Sequence, residues 1–528
     1  MLTCTQQKSS LMSRTPFLCY KSLLVSATWG FAKGLATGEV RPRPFLWLVT
    51  AAITGGIVMS LELAAFRLYA PYFGYSIYVW GTMISVVMAA LALGYALGGW
   101  LADRSRSGTI LYVVIVSSGI YQLAALFVER PILRWLWQSG EFFGTTVASL
   151  IIFVPTMTAL AVTAPFVIRL LARAEHIGIT AGKVYALSTA GSIGGILLTA
   201  FYLVPRLGTR MTLQILCAST LLVGAFGLVG RTAAAAAIFL AAIGALLLPK
   251  LTYSPAVLWT TESAYNWVAV MHQDDLRWLV LNHPAYSQTT RKVGAIWSGS
   301  YSDDFALGPT LVPAHRMLAL GLGAGGAITS TLAVAPQLRV DAVEIDPKVA
   351  DVAARYFGLP VGRGNLTVHI ADARPWLASS SQTFDLVQVD IYQGGPYIPF
   401  YLITREFFEE VSAHINRGGL LMMNVYDTSR SRELLLATAA TLRLVFPSVF
   451  VISRSDGNHV VLAFPAQTSL SDIRQRLSRV DGDAALHAIA AQAGEIVREL
   501  IPPAGTTVFT DDLAPVEEIT RRMLHSAG

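Results

Sequence analysis

The stretch that decides the fold is RMLALGLGAGGAITSTLAV, residues 316–334. A short apolar run, Arg316 to Leu320, ends in a turn where Gly321, Gly323 and Gly325 alternate with Leu322 and Ala324, and a segment of helical length follows. The same order recurs downstream. RVDAVEID at 339–346 predicts a second strand, 347–357 a helix, LTVHIAD at 366–372 a third strand and FDLVQVD at 384–390 a fourth. Short strands alternating with helices imply a parallel sheet with helices on both faces.

In such a sheet, ligands bind beyond the carboxyl ends of the strands. That rule gathers the glycine turn, Glu344, Asp346, Asp372 and Asp390 at one edge. Glycines there let the backbone approach a ligand closely, and the helix after them presents free N–H groups. Glu344, ending the second strand, is placed to accept hydrogen bonds from both hydroxyls of a ribose. Asp372 follows the third strand, where an acid can take the exocyclic amine of adenine. Asp346, just before Pro347, is better explained as a helix cap. Singly these signals are weak, but their order and spacing point to an adenosine-type cofactor. The turn reads GLGAGG rather than GxGxxG, there is one nucleotide-binding half, and Asp372 supplies a second acid. S-adenosylmethionine or its decarboxylated form therefore fits better than a nicotinamide dinucleotide.

Away from this core the composition changes. The chain has 528 residues, 54% of them hydrophobic and 14% charged, too apolar for a wholly soluble protein. Charges are sparse from Phe45 to Lys250, and seven stretches there approach the roughly 20 apolar residues that a bilayer-crossing helix needs. They lie near 47–70, 77–101, 109–128, 145–170, 184–205, 210–230 and 232–249. Gly94 with Gly98, and Gly191 with Gly195, are small-residue pairs suited to close helix packing. Glu62 and Arg67 lie in or near the first span, where an ionisable group is a functional candidate; pairing with a neighbouring helix explains Glu62 nearly as well. GGWLADRSRSG, residues 98–108, carries Asp103, Arg104 and Arg106 and resembles the cytoplasmic loop after the second helix of major facilitator transporters. The net charge of +6 calls for no nucleic-acid partner, because basic residues collect beside membrane spans. Cys4, Cys19 and Cys217 form no CxxC pair, so no disulfide framework or metal site is indicated.

The expected organisation is a basic tail over 1–44, an all-α multi-pass membrane domain of about seven helices over 45–250, a β-hairpin region over 251–313 and an α/β catalytic domain over 314–528. WVAVMHQDDLRWLVLN, residues 267–282, predicts a hairpin turning at Gln273 to Asp275.

ALGLGAGG, VEIDPKV, IADAR, LVQVD and IPFYLITREFFEEV together resemble the polyamine aminopropyltransferases, or spermidine synthases, in particular the membrane-fused members. AGKVYALSTAGSIGGILLTAFYLVPRLG at 181–208 and FTDDLAPVEEIT at 509–520 extend the resemblance into the membrane half and the tail. It implies a Rossmann-like fold of the S-adenosylmethionine-dependent methyltransferase type. It also implies aminopropyl transfer from decarboxylated S-adenosylmethionine to putrescine or a related polyamine, without metal. By motif, Gln288 contacts the cofactor, Glu344 the ribose, and Asp372 with Ala373 the adenine; Asp390 is the acid at the reacting amine, with its pKa raised by burial. Tyr392, Gln393 and Asp427 are candidate substrate contacts. Soluble family members imply a homo-oligomer.

The chain departs from the family pattern at Ala324 and Gln393, where the family carries acids. Asp427 or the tail acids Asp511 and Asp512 are candidate replacements, although Asp511 reads more naturally as a helix N-cap. Alternatives are a methyltransferase using intact S-adenosylmethionine and a non-catalytic polyamine or nucleoside sensor resembling a transporter. The expected location is the plasma membrane with a cytoplasmic catalytic half. That conflicts with seven spans and a cytoplasmic loop at Asp103, which together put the two on opposite sides.

Overall fold

A computed structural model describes residues 44–526 apart from 75, 106, 173–175, 229–231, 249–255, 283–285, 431 and 455–456. The basic tail to Arg43, with Cys4 and Cys19, and also Arg106 and Lys250 lie outside the described residues.

The N-terminal half is helical: α1 (Pro44–Phe73), α2 (Ile77–Arg104), α3 (Gly108–Leu136), α4 (Glu141–Ile152), α5 (Val154–Ala161), α6 (Thr163–Leu171), α7 (Ile177–Leu198), α8 (Val204–Gly227) and α9 (Thr232–Leu246). Pro155 opens α5, where a missing N–H costs least, so the break after α4 falls where the sequence tolerates it. Among the described residues five helical stretches are long and apolar enough to cross a bilayer: 44–73, 77–104, 108–136, 154–171 and 177–227. The last contains two of the seven expected spans. A π-helical turn at Thr199–Leu203 joins α7 to α8, and Gly208, at φ 82° and ψ 165°, breaks the helix and separates the two spans. The seventh expectation shortens to the 15 residues of α9, about 22 Å against a hydrocarbon core of about 30 Å.

Both small-residue pairs sit at helix contacts. A Cβ on Gly191 would lie 1.9 Å from the carbonyl oxygen of Ala52, and one on Gly195 would lie 2.4 Å from that of Gly56. On α2, Gly94 and Gly98 press against Thr158 and Val162 in the same way. Such close backbone approach is possible only where both faces lack a side chain, and it packs these helices against one another. Among the described residues, Arg210 crosses this half to pair with the buried Glu129 at 2.7 Å. Glu62 is half-buried and makes no hydrogen bond or ion pair among the described residues.

The C-terminal half holds two sheets. Strands β1 (Val257–Glu262), β2 (Trp267–Gln273), β3 (Leu276–Leu281) and β4 (Ser287–Lys292) form an antiparallel sheet in sequence order. The expected hairpin is β2 and β3, tightened at Asp274 by a φ of 52°. The second sheet contains β5 (Arg316–Leu320), β6 (Arg339–Glu344), β7 (Leu366–Ile370), β8 (Phe384–Val389), β9 (Ile415–Tyr426), β10 (Ser448–Ser453), β11 (Asn458–Phe464) and β12 (Arg498–Glu499). Its order is β12-β10-β11-β9-β8-β5-β6-β7. The strands from β9 to β7 in that order are parallel, and β10, β11 and β12 join antiparallel. Residues 301–311, ahead of the expected boundary at 314, pack into this second core through Phe305, Leu307 and Leu311. The order reverses between β5 and β8, the position at which a doubly wound sheet opens a ligand crevice.

Polar contacts join the two halves. The Arg67 guanidinium donates to the main-chain carbonyls of Ser263 and Tyr265. Glu262 accepts from the Thr209 N–H at 2.9 Å, and Glu517, on the C-terminal helix Val516–Ser526, accepts from the Ile77 N–H at 2.8 Å. Tyr78 donates to Glu518 beside it. The C-terminal half thus sits where α1 ends and α2 begins. Asp103, about 40 Å along α2 from Ile77, pairs with Arg169 at the far end of the bundle.

Replacing Gly191 by Val forces α1 and α7 apart. The expected loss is at least about 1–3 kcal/mol, read as a lowered unfolding midpoint of the full chain in detergent; an unchanged midpoint contradicts this packing.

Candidate active site

The glycine turn and the acid after β8 meet because β5 and β8 are parallel neighbours. The Asp390 N–H donates to the Leu320 carbonyl at 2.9 Å, and a Cβ on Gly321 would lie 2.2 Å from the Asp390 carbonyl oxygen. Gly321 also has a φ of 87°, so a side chain there is excluded twice over. Gly321 and Gly323 line a cavity of about 710 Å³, within the range of small-molecule sites. Gly325 does not line it. Its left-handed φ caps the helix Gly326–Val334, and a Cβ there would strike Leu359, so its role is structural.

Asp390 opens onto this cavity with both carboxylate oxygens engaged. Tyr301 donates its hydroxyl at 3.0 Å, and Asn424, on the neighbouring strand β9, donates its side-chain amide at 3.1 Å. Burial raises the Asp390 pKa to about 6, against the lowering effect of those two donors. The Asn424 Oδ1 is buried without a hydrogen-bond partner.

On the other side of the crevice Glu344 ends β6. It accepts from the Asp346 N–H at 2.9 Å and the Leu322 N–H at 3.1 Å, which fixes its orientation, while burial pushes its pKa up to about 7. Asp372 caps the helix Ala373–Ser379 by accepting from the Arg374 N–H and also accepts from the Tyr401 hydroxyl at 2.9 Å. Ala373 and Gln288 line the same cavity, and the Gln288 amide reaches the Gly395 carbonyl at 3.5 Å. Tyr392 also lines it, its hydroxyl donating to the Asn424 carbonyl and accepting from the Tyr426 N–H. Gln393 is exposed at the lip, its carbonyl held by the Asn282 side chain.

Several expectations change here. Asp427 is buried outside the cavity, where it accepts from the N–H groups of Ser429 and Leu435, so it orders the start of the helix Glu433–Leu442. Sequence reasoning placed it at the strand edge correctly, but the local N–H groups claim its oxygens. Asp511 is not a helix cap: the helix begins at Val516, and Asp511 forms a two-pronged ion pair with Arg374 and accepts from Thr404. Ala324 packs in the apolar cluster of Val268, Val270 and Leu279 and does not face the cavity. Asp346 is a cap as expected, accepting from the Lys348 N–H, and is further held by Ser263 and Asn266.

Arg67 lines the cavity while Glu62 does not, which separates two residues the sequence put together. Leu63, Phe66 and Arg67, at helical i, i+3 and i+4 spacing on α1, form a wall with Trp80 of α2. The Phe66 and Trp80 rings meet at a 36° tilt with centroids 3.8 Å apart. Sequence analysis missed this wall, and also Tyr301 and Asn424. The helical spacing is the one signal that marks the wall, and it is indistinguishable from ordinary packing until the soluble half is docked against it.

Residues 310–454 match the family model described as the spermine/spermidine synthase domain. A probable polyamine aminopropyl transferase from Bifidobacterium longum is 28% identical over 276 residues, 48% of this chain and 60% of that protein. A polyamine aminopropyltransferase from Vibrio vulnificus is 35% identical over 174 residues, 31% of this chain and 56% of that protein. The human eEF1A lysine and N-terminal methyltransferase is 27% identical over 146 residues, 26% of this chain and 20% of that protein. The chain thus spans little more than half the length of the aminopropyltransferases it resembles, and the stretch that matches the synthase family model contains Gly321, Glu344, Asp372 and Asp390 of the cavity lining.

Proposed function

We propose that this chain is a membrane-embedded aminopropyltransferase that uses decarboxylated S-adenosylmethionine. The observation that carries the reading is one cavity with Asp390 on one side and Glu344 and Asp372 on the other, inside the segment matched by the synthase family. Glu344, which lines the cavity, is the ribose acceptor. Asp372, with Ala373, is the adenine contact, and Gln288 closes over the nucleotide.

The co-substrate supplies a sulfonium leaving group. The acceptor amine attacks the aminopropyl carbon bound to sulfur; a C–N bond forms as the C–S bond breaks, and the electron pair stays on sulfur as methylthioadenosine. An amine of pKa about 10 arrives as ammonium, so a proton must leave before or during attack. Asp390 holds that ammonium and takes the proton. Its pKa of about 6 makes it a better base than an exposed aspartate. Tyr301 and Asn424 fix its two oxygens, so little reorganisation is needed at reaction.

The membrane reading rests on the five apolar stretches, and the catalytic half belongs on the cytoplasmic side, where the nucleotide is made. The loop at Asp103 then lies on the other side of the bilayer. The alternative chemistry, methyl transfer from intact S-adenosylmethionine, draws support from the likeness to the human methyltransferase.

Full-length protein given decarboxylated S-adenosylmethionine and an amine yields methylthioadenosine; S-adenosylhomocysteine from intact S-adenosylmethionine would support the methyltransferase instead. Asp390→Asn is expected to lower turnover by about 10²–10⁴-fold. The carboxylate must be ionised to act, so kcat/KM falls as pH drops through about 6. Tyr301→Phe removes a donor to the ionised form, which raises the Asp390 pKa and moves this limb to higher pH. A limb that stays in place shows that another group titrates. A fluorescent reporter fused after Gly528 reports in the cytoplasm, whereas activity of a secreted-phosphatase fusion at that position inverts the orientation.

A further inference from the structure

We infer that Arg67 of α1 is a positioning residue for both sides of the crevice: through the turn between β1 and β2 it sets where Glu344 stands and where the loop after Asp390 lies. This rests on the aminopropyltransferase reading and adds a residue of the helical half to its machinery.

The turn, residues 263–266, is where three parts of the chain meet. Arg67 donates to the Ser263 carbonyl and, at 3.1 Å, to that of Tyr265. Glu262, one residue earlier, accepts from the Thr209 N–H near the start of α8. Those bonds tie the turn to the helical half. The turn is also closed on itself: the Ser263 N–H donates to the Asn266 carbonyl at 2.8 Å, and the Ser263 hydroxyl oxygen accepts from the N–H groups of Tyr265 and Asn266. A turn closed in this way moves as a unit, so whatever grips its carbonyls also places its side chains.

One branch leads from those side chains to the nucleotide side. The Ser263 hydroxyl donates to Asp346 Oδ2 at 2.5 Å, and the Asn266 amide donates to the same oxygen at 2.9 Å. Asp346 is fully buried, so water does not replace a donor that it loses. Its own N–H donates to Glu344 Oε1 at 2.9 Å and orients that carboxylate.

The other branch leads to the acceptor side. Asn266 Oδ1 accepts from the Asn282 amide at 2.8 Å, and that amide also donates to the Gln393 carbonyl at 2.9 Å, in the loop after Asp390. Asn282 Oδ1 accepts from the Trp267 N–H at 2.9 Å, so both its amide nitrogen and its oxygen are engaged. Asn282 is buried and held at φ 60°, a left-handed conformation that asparagine tolerates better than most residues.

Asp390 stands outside both branches, with its N–H on Leu320 and its oxygens on Tyr301 and Asn424. Arg67 therefore sets the distance of the ribose carboxylate and of the acceptor lip from an acid that does not move with them. Its planar fork grips two carbonyls at once, which a lysine ammonium at the same place does not reproduce.

The test measures methylthioadenosine released by full-length protein in detergent from decarboxylated S-adenosylmethionine and putrescine. Arg67→Gln is expected to raise both KM values about tenfold, part of the roughly 100-fold that a misplacement of about 1 Å costs. Under the same change kcat moves far less and the acid limb near pH 6 stays in place. Arg67→Lys recovers part of the loss. Ser263→Ala raises the KM of the nucleotide, and Asn282→Gly, which keeps the positive φ, raises that of the amine; each adds less than its own effect to Arg67→Gln. A lowered kcat with both KM values unchanged marks loss of folded protein and overturns the inference. Full additivity with Ser263→Ala also overturns it, because Arg67 then acts apart from the turn. Where Arg67→Gln does not fold, the other two variants carry the test, and a KM that neither shifts removes the route. Calorimetric binding of methylthioadenosine separates this inference from the reading beneath it. If no amine yields methylthioadenosine, aminopropyl transfer falls, yet weaker nucleoside binding by Arg67→Gln than by the native chain keeps the route to Glu344. Equal binding overturns that route, and no binding by the native chain overturns both.

Discussion

The parallel pairing of β5 with β8 is the constraint on which the site depends. It brings Leu320 and Asp390 within one main-chain hydrogen bond and leaves the glycine turn no space for a side chain. The two ends of the crevice are therefore fixed by backbone geometry rather than by side-chain packing, which is less tolerant of drift. Tyr301 then reaches Asp390 because residues 301–307 pack against the helix behind the turn, and Asn424 reaches it because β9 is the next strand along. An acid at the mouth of a crevice would ordinarily ionise near 4. Here burial wins over two donors, so the group is poised close to neutrality.

Much of this C-terminal half was legible in the sequence, and for physical reasons. Glycines that need positive φ, acids ending apolar strands and the period of the strands are local signals, and they placed Gly321, Glu344, Asp372, Asp390 and the Asp346 cap where the structure has them. What was not legible is competition for partners. Asp427 and Asp511 have the right residue type near the right edge, yet Leu435, Ser429, Arg374 and Thr404 claim their oxygens first. Ala324 is similar: one position in a turn decides between cavity and core, and only the docked hairpin sheet shows that it faces core.

The helical half was legible as long apolar helices but not as a contributor to the site. Apolar length marks each helix, while the break at Gly208 and the short α9 depend on backbone conformation that hydropathy does not encode. Nor does the sequence show that Arg67 turns to the carbonyls of Ser263 and Tyr265, more than 190 residues downstream. Ionisable groups near a membrane span are commonly read as transport machinery. In this chain Arg67 instead joins the two halves.

The wall built by α1 and α2 ties the crevice to the packing of the helical half. Helices in a bilayer tilt to match hydrocarbon thickness. A tilt of α1 carries Leu63, Phe66 and Arg67 with it, while Asp390 stays fixed to Leu320 by the sheet. On the membrane reading proposed above, the width of the crevice follows lipid composition, and membrane thickness becomes a variable of the proposed reaction in its own right.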